Sequence, residues 1–285
     1  MSDPPAIRHI SDTALWIAMY RATESERPDA LFYDPFAREL AGERGAQIVT
    51  ELAKHGMQSW PIVVRTQVLD ELILKAVEED GFDTILNLAA GLDTRPYRLA
   101  LPATLRWVEV DLPDIIEYKR NVLKNATCFC RLERHALDLK NLEARRALFE
   151  KVGAAATKML VITEGLLLYL DENEVKDLAW DLFRQPAAKR WLTDLASPRL
   201  LKYMRRMQQR MPGDAVFRFA PADHTDFFLS RSWHAKVFHS TWEDAKRLDR
   251  REIKLAWLWD LLGWVIPGAR ERGRKMSGIV VLERS

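Results

Sequence analysis

The sequence is poor in cysteine, carries no surplus of either charge, and contains no long uncharged apolar run. Cys128 and Cys130 are the only cysteines in 285 residues. Two apart on an extended segment, they share a face without the geometry for an easy disulfide, which points to a reduced, cytoplasmic chain. Lysine and arginine total 43 against 41 aspartate and glutamate, a near balance that offers no electrostatic footprint for nucleic acid or a membrane surface. No stretch approaches the roughly 18 uncharged apolar residues of a membrane span. The short run ALWIAM follows Asp3 and Asp12 and lacks the basic start and long apolar region of a secretion signal. Repeats and low-complexity linkers are also missing, so one domain over residues 1–285 is expected, with 48% hydrophobic residues to fill a single large core.

What is present falls into two patterns. Residues 1–80 read as a helical cap: Leu15, Met19 and Ala22 follow a cap-like Ser11 or Asp12, and Val64, Val68, Leu72 and Val77 recur at helical spacing before Gly81. From Asp83 short apolar runs alternate with helical ones, as repeated βα units do. Strands are expected at 83–89, 105–110, 132–137, 159–163 and 190–195, with helices near 114–124, 142–151, 172–185 and 198–210. Residues 81–196 would then form a cofactor-binding core. The segment 197–233 reads as a lid over the substrate, and 234–285 adds HAKVFHS, a helix through 242–263 and a last strand, GIVVLERS, which, with no crossover helix after it, can insert antiparallel beside its neighbour. The expected fold is a Rossmann-like α/β domain with a mostly parallel seven-stranded sheet.

The first strand of that sheet empties into AAGLDTR, at the place where open parallel sheets bind ligands. A dinucleotide pyrophosphate calls for two or three glycines here, and this turn has one, Gly91, followed by the acidic Asp93. About twenty residues on, Asp111 ends the second strand in the position of a carboxylate that grips ribose hydroxyls. A ribose-bearing cofactor without phosphate fits both facts, and S-adenosyl-L-methionine is one. Taken singly, Gly91 is equally a turn glycine and Asp111 a helix cap. Asp93 and Arg95 read as partners of each other or as caps, and Tyr97 and Arg98 as scaffold.

The segments YDPFARELAG (33–42), RTQVLDELI (65–73), NLAAGLDTRPYRL (87–99), VEVDLPDIIEYKRNVL (108–123) and ITEGLLLYLDENEV (162–175), in this order, resemble the leucine carboxyl methyltransferase family. The closer likeness is to its bacterial branch of S-adenosylmethionine-dependent methyltransferases, which includes polyketide O-methyltransferases. The resemblance covers about residues 10–195. It implies a class I methyltransferase fold and a set of cofactor contacts: Arg65 to the carboxylate, Gly91 along the methionine end, Asp111 to the ribose, Asp138 and Leu139 beside the adenine, and Glu164 to the amino group. It implies no metal and assigns no catalytic side chain.

Three functions follow as expectations: O-methylation of a small-molecule carboxylate or hydroxyl, methylation of a protein's C-terminal leucine carboxylate, or cofactor binding without turnover. Tyr169 is either at the transfer site or in the core. The substrate wall is expected from the cap and from Met204, Met207, Met211, Phe217, Phe219, Phe227, Phe228 and Trp233, soft apolar surface suited to an apolar acceptor, although each reads equally as core. Arg205, Arg206 and Arg210 read as a solvated face. His224 and His239 are the histidines offered as general bases; a carboxylate acceptor, already ionised at neutral pH, would need neither.

Overall fold

The computed structural model describes residues 10–208, 216–251 and 267–284. Arg210, Met211 and the greater part of the helix expected through 242–263 lie outside the described residues. Three helices come first: α1 (Ile10–Ser25), α2 (Ala37–Lys54) and α3 (Trp60–Glu78). Ser11 and Asp12, expected as caps, lie within α1; Asp12 is instead drawn to Arg44 of α2 at 3.0 Å. Pro61 sits in the first turn of α3, where its missing N–H costs nothing.

The alternating section then runs β1 (Thr84–Leu88), a one-turn α4 (Arg95–Arg98), β2 (Arg106–Asp111), α5 (Pro113–Val122), β3 (Arg131–Ala136), α6 (Leu142–Ala154), β4 (Met159–Thr163), α7 (Glu172–Phe183) and β5 (Ala188–Ala196). Helix starts are written locally. Asn141 accepts the Ala144 N–H to open α6, and Asp171 and Glu174 form a reciprocal capping box on α7. Beyond β5 come α8 (Pro198–Gln208), a 3-10 stretch (His224–Arg231), β6 (Trp233–Ser240), α9 (Thr241–Arg247), α10 (Ala269–Arg274) and β7 (Ser277–Arg284).

The seven strands among the described residues are ordered β3-β2-β1-β4-β5-β7-β6, with β1 to β5 parallel and β7 antiparallel to both its neighbours. Burial follows position. Strands β1 and β4, central and covered on both faces, are buried at every residue. Strand β3, at the edge, reads RLERHA and is nowhere fully buried, and such charges guard an edge from pairing with another chain. Trp107, Phe149, Trp191 and Phe228 fill the core on the two faces of the sheet. Phe227, Phe228 and Trp233 belong to that core rather than to a substrate wall, for Trp191 lies edge-on to both Phe228 and Trp233 at 5.3 and 5.7 Å. No helix among the described residues is long and apolar enough to cross a membrane.

Candidate active site

Two register pairs set the geometry at the carboxyl ends of the strands. Leu88 of β1 lies opposite Val110 of β2, which brings the next turn alongside Asp111. Ala89 and Gly91 both take left-handed backbone, φ 51° and 50°, and the Gly91 N–H donates to Asp111 Oδ2 at 2.6 Å while the Leu112 N–H donates to Oδ1 at 2.7 Å. A Cβ at position 91 would meet nothing nearer than Ala14 at 3.5 Å, so the positive φ, not lack of room, favours glycine there. Thr163 of β4 lies opposite Thr193 of β5, so Glu164 and Asp194 emerge side by side one residue later.

Arg65, on α3, joins that second pair. Its Nε donates to Glu164 at 2.9 Å and its Nη1 to Asp194 at 3.1 Å. Arg95 is 2% exposed and donates to Asp70 at 2.6 Å, Asp93 at 3.0 Å and Glu164 at 2.9 Å. Arg98 grips both oxygens of Asp70, at 2.6 and 2.9 Å, and Arg21 pairs with Asp34 at 2.8 Å, which also accepts the Thr94 hydroxyl. An alternating ladder thus runs Arg21, Asp34, Arg98, Asp70, Arg95, Glu164, Arg65, Asp194, with Asp93 branching from Arg95. This explains the charged turn after a buried strand: α4 delivers two arginines into carboxylates held by the cap helices and by β4. Four arginines face five carboxylates, leaving the ladder one negative charge in excess.

The charges hold one another ionised. Burial raises the cost of each charged carboxylate, yet Arg95 and Arg65 hold Glu164 below its ordinary value, Arg95 and Lys119 hold Asp93 far below its own, and Arg21 and Arg98 do the same for Asp34. Asp111 goes the other way: burial raises it despite the two N–H donors. The sign for stability follows. A carboxylate depressed in the folded state contributes stability that is present above its unfolded value near pH 4 and is lost as pH falls through the folded value. Asp111, raised, works in the opposite sense, one group against three. The melting temperature is therefore expected to stay level from about pH 7 to 5 and to fall steeply below about pH 4; a flat melting profile from pH 7 to 3 would contradict this account of the ladder.

Two cavities lie against this frame. The first, of about 210 Å³, is lined by Arg65, Gly91, Asp111, Leu139 and Glu164, with Leu112, Ile115 and Leu137 forming an apolar slot beside Asp111. Asp138 stands apart: it is exposed, its side chain accepts the Lys140 N–H at 2.9 Å, and it does not line the cavity. The second, of about 380 Å³, is bounded by Trp16, Trp60, Met204, Met207, Phe217 and Phe219, and Thr13, Arg65 and Tyr169 line both. Tyr169 therefore faces the junction rather than the core alone, packed 5.4 Å from the Phe217 ring. Neither histidine lines either of these two cavities. His224 lies edge-on to Phe238 at 4.6 Å, and His239 Nδ1 is 3.5 Å from Asp244. Sequence reasoning passed over Thr13, Asp34, Asp70 and Asp194. Asp34 and Asp70 stand inside the quoted family segments, and an acid buried within an apolar helical stripe, as Asp70 is, was the available signal.

Of the residues that the resemblance assigned, Arg65, Gly91, Asp111, Leu139 and Glu164 line one cavity and Asp138 does not. Residues 14–182 match the model of the leucine carboxyl methyltransferase family. The chain belongs to this family. A Streptomyces coelicolor protein named "putative S-adenosyl-L-methionine-dependent methyltransferase" is 33% identical over 237 residues, which span 78% of this chain and 82% of that protein. A Parafrankia relative so named is 35% identical over 187 residues, 62% of this chain and 60% of its own length. Among solved structures, one described as a putative methyltransferase from Thermobifida fusca aligns with a TM-score of 0.60 at 15% identity over 98% of this chain and 96% of that one. A DUF574 family protein from Streptomyces avermitilis gives 0.55 at 12% identity over 94% and 96%. At such identities the likeness concerns the fold alone, and the leucine carboxyl methyltransferase family is carried by the sequence matches.

Proposed function

We propose that the chain methylates an oxygen of a small, largely apolar acceptor seated in the second cavity. It is an S-adenosylmethionine-dependent methyltransferase with a Rossmann-like fold of the class I kind. The observation that carries the acceptor half of this reading is the shared wall: Thr13, Arg65 and Tyr169 line both a cavity suited to the cofactor and a larger apolar one beside it.

The residues of the first cavity fit the cofactor. Each Asp111 oxygen accepts one backbone N–H and keeps a lone pair for a ribose hydroxyl. Leu112, Ile115, Leu137 and Leu139 suit an adenine ring. Glu164 suits an ammonium, matching the ladder's excess negative charge, and Arg65, with its Nη2 hydrogens uncommitted to Glu164 or Asp194, suits a carboxylate. When bound, S-adenosylmethionine supplies a methyl group activated by its sulfonium. What remains for the protein is in-line placement and exclusion of water, effects worth roughly 7–11 kcal/mol for well-oriented reactants. Calorimetry is expected to show binding of S-adenosylmethionine and S-adenosylhomocysteine and none of NAD, whose pyrophosphate would meet Asp93 and a single glycine. Binding of NAD without response to either S-adenosyl ligand would overturn the proposal.

A further inference from the structure

The second cavity contains one feature that the cofactor does not use. Among the described residues that line it, Arg65 and Asp194 are the only charged groups, and no histidine is present. Asp194 is held rather than free: Oδ1 accepts the Gly165 N–H at 2.6 Å and Oδ2 accepts Arg65 Nη1 at 3.1 Å. Gly165 takes φ 68°, a conformation suited to glycine. These contacts fix the carboxylate at the end of β5, with about one-fifth of its side chain exposed. Each carboxylate oxygen retains a second lone pair. What the acceptor cavity presents beside the junction is therefore a hydrogen-bond acceptor.

Resting on the methyltransferase reading above, we infer that Asp194 is the catalytic residue on the acceptor side and that the acceptor is a neutral hydroxyl on an apolar, aromatic-sized body, not a carboxylate. A hydroxyl can donate to the unspent lone pair of Asp194, which turns the oxygen's own lone pair toward the Arg65 and Tyr169 junction. A carboxylate acceptor would bring a second anion beside Asp194, and the cavity's cation, Arg65, is already engaged by Glu164 and Asp194 and, in the reading above, by the cofactor carboxylate, so the like charges repel. In the transfer, the acceptor oxygen forms its bond to the methyl carbon with one of its lone pairs. The carbon–sulfur pair returns to sulfur, giving the neutral thioether of S-adenosylhomocysteine. The hydroxyl proton passes to Asp194 and leaves to solvent through the exposed part of the side chain. A carboxylate suffices as base because the hydroxyl becomes strongly acidic only as its oxygen bonds to carbon.

The test uses 2-naphthol and 2-naphthoate, matched in apolar body and differing in the oxygen group, titrated at pH 7 against the full chain saturated with S-adenosylhomocysteine. The wild type is expected to bind 2-naphthol roughly tenfold or more tightly than 2-naphthoate. Asp194→Asn keeps an acceptor for the Gly165 N–H and is expected to bring that ratio to within about threefold. With S-adenosylmethionine, methylation of 2-naphthol should fall about 10²-fold or more in Asp194→Asn, the scale of a lost general base. The inference is overturned by preference for 2-naphthoate, by an unchanged ratio in Asp194→Asn, by retained turnover in that variant, or by failure of both probes to bind. Because Asp194 also holds Arg65, S-adenosylhomocysteine is kept saturating in both proteins, so that a loss of cofactor affinity passed through Arg65 does not enter the probe ratio. Failure of the wild type to bind S-adenosylhomocysteine would instead sink the cofactor assignment, and this inference with it.

Discussion

Replacing Arg95 with methionine is expected to destabilise the fold by about 3–5 kcal/mol, because it leaves buried acids without their shared cation. Arg95 is 2% exposed and its guanidinium serves Asp70, Asp93 and Glu164 at 2.6 to 3.0 Å. The three acids do not lose equally. Asp70 keeps Arg98 and Glu164 keeps Arg65, whereas Asp93 keeps the Asn87 amide at 2.8 Å as its near side-chain partner. The cost should therefore concentrate on Asp93 and appear as a drop in melting temperature of roughly 10 °C at pH 7. Arg95→Lys should recover only part of it, since one ammonium cannot present a planar fork to carboxylates arriving from three elements. The surface pair of Arg38 and Glu26, each 56% exposed, supplies the control: Arg38→Ala should change stability by less than about 0.5 kcal/mol. A melting temperature for Arg95→Met equal to that of Arg38→Ala would show that the ladder does not hold the fold.

Asp111→Ala is expected to weaken S-adenosylhomocysteine binding by about 10- to 150-fold, the loss of hydrogen bonds to a charged group, roughly 1.5–3 kcal/mol. The same carboxylate anchors the turn, since its two oxygens accept the Gly91 and Leu112 N–H groups. A stability loss of about 1 kcal/mol should accompany the change. Asp111→Asn separates the two roles, because one amide oxygen still accepts an N–H while the charge proposed to hold the ribose is gone. Calorimetric affinity unchanged in both variants would make Asp111 only the closing residue of its strand.

These two variants probe different kinds of information. Asp111 is readable in the chain: a strand that ends in an acid about twenty residues past a lone turn glycine is a local pattern with a known use. The order of strands and helices from Asp83 onward is readable for the same reason, since apolar period and capping residues are properties of neighbours in sequence. The inserted last strand follows too, because a segment without a crossover enters antiparallel and β7 does so between β5 and β6. The choice against a pyrophosphate was likewise made by one glycine and one aspartate.

The sequence by itself therefore determined the family, the sheet and the cofactor. Only the tertiary structure decided what the charged turn is for. Arg65 and Asp194 are 129 residues apart and Arg95 and Glu164 are 69 apart; their meeting depends on the Thr163 to Thr193 register and on α3 crossing the strand ends. Whether Phe228 and Trp233 form core or wall was decided in the same way, by which face of the sheet closed over Trp191. The physical reason is common to all three: a buried charge is tolerable only beside its partner, and a large ring only where others pack against it. Those partners lie elements away, where no local pattern in the chain can point to them.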